Sequence, residues 1–238
     1  MLLAFVDETG DRDKPRYFGL TLATINANFY RGVKTSFLQL LDASGWDPKI
    51  EFKGTYLFSA SKGCTTVPVA ARVTLVSEFL KLNASAKHRR MKFHYAAKES
   101  DDHRSDYLRI LPLLLAKGLP RTGHKGGKDL LTLCCDHRSD LKPPEIRAAA
   151  AATVQARGYT LVEDVVCPVS NRETVGILYA DIVGYLMSRI EVISTDVEMF
   201  VDLTPEEIET NGRLRKLRAS TQLLQLIKKF DIYKVVPT

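Results

Sequence analysis

Two short apolar runs, each followed at once by an aspartate, constrain this sequence more than any other feature. Residues 2–6 precede Asp7, and residues 130–135 precede Asp136. Such runs are typical of strands that are buried on both faces, as in the parallel part of a sheet. If the two strands are parallel neighbours, their ends lie about 4.8 Å apart. The two aspartates then converge at one edge of the sheet.

A third acid lies in an unusual position, because Asp181 interrupts a nearly all-apolar segment over residues 174–193 that we predict to be a helix. Gly184, on the same helix face, permits close approach of a backbone. A buried carboxylate is unfavourable unless it meets a cation, a donor or water. Each acid alone is more often a turn former or an ion-pair partner. Together, converging carboxylates favour a divalent ion, and their hard oxygen ligands favour Mg²⁺ or Mn²⁺ over zinc.

The rest of the chain alternates predicted strands and helices, which is typical of an α/β fold. Residues 45–66, rich in Gly, Ser, Thr and Lys, predict a mobile loop. We expect one domain over residues 1–238 with an inserted helical and loop region at about 45–128. The remaining predicted strands are 17–25, 92–96, 159–166 and 232–236. Four of the remaining predicted helices have ranges, namely 28–41, 68–82, 144–157 and 213–229. Another is capped by Ser100 or Asp101 and is split or kinked at Pro112, and a further one starts at Thr204.

Composition limits the partners and the cellular compartment that we expect for this protein. The formal net charge of +6 favours an anionic partner, although many basic proteins bind no nucleic acid. The four cysteines form no spaced metal pair and no disulfide framework, which suits a reducing cytosol. No apolar run approaches the roughly 20 residues of a membrane span. We therefore expect a soluble, cytoplasmic protein that does not enter a membrane. The apolar segment 174–193 suits either a core or a dimer interface, so the oligomeric state stays open.

An ordered set of short motifs resembles domain-of-unknown-function family 3800. The motifs are Phe5-Val6-Asp7-Glu8-Thr9-Gly10-Asp11 with Tyr17-Phe18-Gly19-Leu20, then Glu51-Phe52-Lys53-Gly54, Leu133-Cys134-Cys135-Asp136 and Tyr179-Ala180-Asp181-Ile182-Val183-Gly184-Tyr185. Thr9 replaces the usual Ser, Tyr179 stands where Leu is common, and Leu178 stands in place of a preceding Gln. The match spans about residues 3–190. It implies a ribonuclease H-like fold, a mixed sheet flanked by helices, with nuclease activity.

The resemblance also implies roles for individual residues. Asp7, Asp136 and Asp181 are the expected metal ligands, with Glu8 or Glu51 completing a site for two divalent ions that cleaves phosphodiesters. Glu8 points away from Asp7 if the first strand continues past it. Lys53 is expected to contact a phosphate or to stabilise charge in the transition state, with a solvated loop lysine as the alternative.

Basic residues outside these motifs are candidates for gripping a nucleic-acid backbone, namely Arg89, Arg90 and Lys92. Such runs are more often solvated faces. The pentapeptide Asp-His-Arg-Ser-Asp occurs at residues 102–106 and again at 136–140, in different contexts, so it predicts no structural repeat. The alternative to a nuclease is a catalytically inactive nucleic-acid-binding or defence-system protein on the same fold. The sequence leaves open RNA or DNA as substrate, and endo- or exonuclease action.

Overall fold

The computed structural model describes residues 1–10, 16–59, 61–84, 91–122, 129–169, 171–194, 223 and 232–234. These residues form a mixed sheet with helices on both faces. The strands are β1 (Leu2–Gly10), β2 (Tyr17–Asn26), β3 (Lys92–Glu99), β4 (Asp129–Cys135), β5 (Tyr159–Leu161) and β6 (Ile232–Lys234). The helices are α1 (Ala27–Ala43), α2 (Val69–Ala84), α3 (His103–Gly118), α4 (Pro143–Ala156) and α5 (Val175–Ser194), with a 3-10 turn at Gly54–Tyr56.

The sheet places β1 at its centre. The strand order is β5-β4-β1-β2-β3-β6. β1 is antiparallel to β2, and β2 to β3. The pairs β1 with β4, β4 with β5, and β3 with β6 are parallel. The predicted α/β class is therefore confirmed, and the two apolar runs are parallel neighbours.

Alternation of side chains along the strands divides the core into two parts. Phe5 of β1 faces the cluster formed with α1, α2 and α5. Ala4 and Val6 face the cluster formed with α3 and α4. The prediction that β4 is buried on both faces is wrong, because alternate residues of β4 are more exposed and Leu130 is 44% exposed. We call the face with α1, α2 and α5 the α5 face.

Several predicted element bounds differ from those observed. α1 is capped by Asn26 rather than Asn28, and the side chain of Asn26 accepts the backbone N–H of Asn28. Pro112 does not split α3, because leucines on both sides of it are buried in one core and offset the lost hydrogen bond. β5 ends at Leu161, and only a single bridge pairs Val166 with Cys134. The helices predicted at Thr204 and over 213–229 lie outside the described residues, apart from Leu223.

Residues 45–66 are packed rather than open. Trp46 is 3% exposed, and its indole N–H donates to the Ile50 carbonyl at 2.8 Å. Arg72 of α2 is 1% exposed and donates to the carbonyls of Val67, Tyr56, Ser59 and Lys62 at 2.5 to 2.9 Å. One guanidinium thus satisfies backbone groups that the irregular segment leaves unpaired. Residues 92–118, inside the predicted insertion, supply β3 and α3 of the fold.

Candidate carboxylate site

Asp7 and Asp136 lie side by side on neighbouring strands. Val6 of β1 is opposite Cys135 of β4, and the Asp136 N–H donates to the Val6 carbonyl at 2.9 Å. The ladder therefore continues one residue past β4, which brings Asp136 level with Asp7. Both continue the alternation that directs Phe5 and Cys134 to the α5 face. Asp7 is only 5% exposed, although it is ionisable and in the middle of a strand.

Helix α5 brings the third aspartate to the same face. A Cβ on Gly176 would overlap the Phe5 ring, and a Cβ on Gly184 would overlap the hydroxyls of Thr9 and Thr21. The helix backbone therefore lies directly on β1, from the level of Phe5 to the level of Thr9. Asp181 lies between the two glycines and so comes alongside Asp7. This agrees with the close approach predicted for Gly184.

The segment after α1 supplies the next two charges. Phe52 is buried against Trp46, Phe37 and Phe79, which anchors the segment in the core. The Gly54 N–H donates to Asp181 Oδ2 at 2.5 Å. Lys53 Nζ lies 3.7 Å from Glu51 Oε2, and their side chains are 35% and 26% exposed. The Glu51–Gly54 segment therefore lies against α5 at the level of Asp181.

The charges of these residues act on one another. Burial raises the pKa of Asp7 well above its usual value; the charges of Asp181, Glu8 and Asp136 raise it further, and Lys53 lowers it. Burial raises the pKa of Asp181 to about 6, against the opposing effects of the Gly54 N–H and Lys53. Burial alone would lower the pKa of Lys53. The nearby carboxylates have the larger effect and raise this pKa, and they belong to Asp181, Glu51, Asp7 and Asp136. The acids thus share an electrostatic environment with excess negative charge.

Two of the predicted site residues take other positions. Glu8 follows Asp7 within β1, so its side chain points to the opposite face, where Arg138 Nη1 lies 3.4 Å from Glu8 Oε1. Lys92 is the first residue of β3 and lies three residues before Tyr95. Tyr95 pairs with Thr21, and Thr21 pairs with Asp7, so Tyr95 and Asp7 lie on the same face of the sheet. An odd separation places Lys92 on the face away from Asp7. The candidates Arg89 and Arg90 lie outside the described residues.

The donor chemistry of this site fits a hard divalent ion. Carboxylates that raise one another's pKa lack positive charge, which such an ion supplies. The buried hydroxyls of Thr9 and Thr21, on the same face, have no hydrogen-bond partner among the described residues. In the arrangement seen, however, no three His, Cys, Asp or Glu side chains of the described residues are placed to hold one ion together. Binding would therefore require side-chain rotation around a backbone that already brings the acids together.

Sequence reasoning missed three contributors. The Gly54 N–H carries no signal in the sequence, because any non-proline residue offers this donor. Thr21 was hidden within an apolar strand, although its position opposite Asp7 follows once the hairpin register is known. Arg138 lies two residues after Asp136 and pairs with both Glu8 and Asp140. The one sequence feature that could have indicated Arg138 is the second copy of the pentapeptide, which contains it.

No helix of the described residues is both long enough and apolar enough to cross a membrane. Comparison of the chain with models of known protein families finds no match, and comparison with curated proteins finds none either. Membership of the family that the motifs resemble therefore stays a prediction. The interpretation of the site rests on the contacts and charges of its own residues.

Proposed function

We propose that this chain is a divalent-metal-dependent nuclease that hydrolyses phosphodiester bonds at the Asp7 site, in the cytoplasm. One observation carries the proposal. Asp7 is almost fully buried on the central strand, and the charges of Asp181 and Asp136 act on it where the parallel ladder between β1 and β4 ends. A buried excess of negative charge destabilises a fold, and such clusters are found at functional sites, where a bound cation neutralises the charge. The mixed sheet is compatible with the ribonuclease H-like fold that the motif resemblance implies.

Each residue has a role in this proposal. Asp7, Asp136 and Asp181 would hold Mg²⁺ or Mn²⁺, with Glu51 available from the Glu51–Gly54 segment. The chemistry that two such ions would supply is activation of a water molecule and stabilisation of the leaving oxygen. The Gly54 N–H fixes one oxygen of Asp181. Lys53 presents a partly exposed ammonium at the open side, where it attracts and orients a phosphate.

The test uses labelled RNA, single-stranded DNA and duplex DNA, each with Mn²⁺ or with EDTA. We expect shortening of at least one substrate with Mn²⁺ and none with EDTA. Asp7→Asn and Asp136→Asn should each abolish the cleavage while the circular dichroism spectrum stays native. Asp164→Asn removes a carboxylate that pairs with Arg147 on the exposed surface and should cleave like the wild type. Retained cleavage by both site variants would exclude the assignment.

The second candidate is a nucleic-acid-binding or defence-system protein without turnover. The observation in favour of this candidate is that no three acids of the described residues are placed around one point. A binder would retain labelled RNA or DNA on a filter in Mn²⁺ without shortening it. The same incubation thus separates the two functions.

A further inference from the structure

We propose that Arg138 is a positioning residue that holds Asp7 and Asp136 in register from the opposite face of the sheet. This inference rests on the proposed function, because it concerns how the same carboxylates are held for metal binding. It also gives a role to the pentapeptide at residues 136–140, which contains both Asp136 and Arg138.

Backbone hydrogen bonds hold the loop after β4 at its start. Asp136 is the first residue past the strand, and helix α4 begins only at Pro143. Its N–H is held by the Val6 carbonyl, and the next N–H, of His137, donates to the Pro168 carbonyl at 3.2 Å. These two bonds hold the start of the loop, and a further constraint is needed to keep its continuation to α4 fixed against β1.

Arg138 supplies that constraint. Its side chain is 10% exposed. The guanidinium binds both carboxylate oxygens of Asp140, with Nε to Oδ1 at 2.9 Å and Nη2 to Oδ2 at 2.6 Å. Its third nitrogen, Nη1, lies 3.4 Å from Glu8 Oε1, and the group stacks over the Tyr107 ring at 5.3 Å from the centroid. A planar guanidinium with several partners has one geometry, which a single ammonium does not reproduce.

These contacts join the two neighbourhoods of the site. Glu8 immediately follows Asp7 in β1, and Arg138 lies two residues after Asp136. The ion pair between Glu8 and Arg138 therefore ties one ligand's strand to the other ligand's loop, while both ligands point to the far face.

The first copy of the pentapeptide reinforces this arrangement. Arg104 Nε donates to the Asp140 carbonyl at 3.0 Å, and the same side chain pairs with Glu145 of α4. Glu145 in turn accepts the Lys142 N–H at 2.9 Å. Hydrogen bonds and ion pairs thus connect the loop from Asp136 to α4 with β1, with α3 and with α4 itself. The two identical pentapeptides are in contact, although they differ in secondary structure.

The experiment measures Mn²⁺ affinity by electron paramagnetic resonance, together with kcat, KM and Tm, for four variants of the full chain. The variants are Arg138→Gln, Arg138→Lys, the double variant Glu8→Gln with Arg138→Gln, and Arg147→Gln. Arg147 also pairs with an aspartate, Asp164, but on the exposed surface, so it is the matched control. The double variant removes both charges of this partly buried pair, which separates the loss of positioning from the cost of an unpaired Glu8.

We expect Arg138→Gln to weaken Mn²⁺ binding and to lower kcat by about tenfold or more, with little change in KM, since partners that orient metal ligands typically contribute 10- to 100-fold. Arg138→Lys should recover only part of this loss. The double variant should regain Tm but not Mn²⁺ affinity. Wild-type affinity and kcat in both Arg138→Gln and the double variant would overturn this inference alone. A wild-type chain that binds no Mn²⁺ would overturn the proposed function together with it.

Discussion

At the scale of the residue, the buried carboxyl of Asp181 makes the stability of the fold depend on pH. The folded chain raises the pKa of its carboxyl from the usual 3.8 to about 6, chiefly through burial. A group whose pKa is raised on folding stabilises the fold fully below the unfolded pKa. That contribution is lost as the pH rises through the folded value. The metal-free protein therefore loses stability at Asp181 between about pH 4 and pH 7.

We predict that Asp181→Asn stabilises the metal-free protein at pH 7 by roughly 1 to 3 kcal/mol relative to the wild type, since one pKa unit corresponds to about 1.4 kcal/mol. The asparagine oxygen can still accept the Gly54 N–H. Urea unfolding at pH 4 and pH 7 in EDTA measures the effect, which should shrink towards zero at pH 4. The surface variant Asp164→Asn should not gain this stability at pH 7, because the Asp164 carboxylate is exposed and paired with Arg147. An equal gain at both pH values would contradict the electrostatic explanation.

At the scale of the element, the placement of α5 determines where its aspartate lies. The eight residue-to-residue steps from Gly176 to Gly184 cover about 12 Å along a helix. The four steps from Phe5 to Thr9 cover about 13 Å along a strand. The two glycines meet these two strand residues, so helix and strand run alongside each other over this length. Side chains larger than hydrogen at either glycine would push Asp181 away from Asp7.

Gly184→Ala tests this packing. The added methyl overlaps the Thr9 and Thr21 hydroxyls, so we expect a loss of about 1 to 3 kcal/mol in the free energy of unfolding. We also expect weaker Mn²⁺ binding, because the helix must shift away from β1. Gly10→Ala is the matched control, since nothing lies within 4 Å of a Cβ at that position. Equal stability and equal Mn²⁺ affinity in the two variants would refute the close contact.

At the scale of the whole molecule, the proposed cation site would couple cation binding to folding. Its proposed ligands come from β1, the end of β4 and α5, which converge only in the folded chain. An ion that binds the folded state alone stabilises it by RT ln(1 + [L]/Kd), about 2.7 kcal/mol at a hundredfold excess over Kd. The gain is largest where the carboxylates are ionised and repel one another.

We therefore predict that Mn²⁺ at about a hundredfold excess over its Kd raises the Tm of the wild type at pH 7 by about 5 to 10 °C. Differential scanning fluorimetry with and without EDTA measures the shift. Asp7→Asn should abolish most of it, whereas Asp164→Asn should keep it. The same shift in Asp7→Asn and the wild type would place the Mn²⁺ site elsewhere in the chain.

The sequence alone determined the elements and the candidate acids. Apolar runs of five or six residues predicted β1 and β4, and apolar periodicity predicted α1, α2, α4 and α5 within a few residues, since these patterns depend on local side-chain spacing. Asp7, Asp136 and Asp181 stood out because each carboxylate interrupts or ends an apolar segment. Their joint role as metal ligands stays a prediction that the experiments above test.

Only the tertiary structure decided which groups meet. The register of β1 with β4 makes Asp7 and Asp136 neighbours, and the length of β1 directs Glu8 to Arg138 instead. The Gly54 N–H reaches Asp181 across 127 positions of sequence. Contacts of this kind depend on strand register, helix placement and loop packing. No local pattern encodes them, because the free energy that selects them comes from burying the whole core at once.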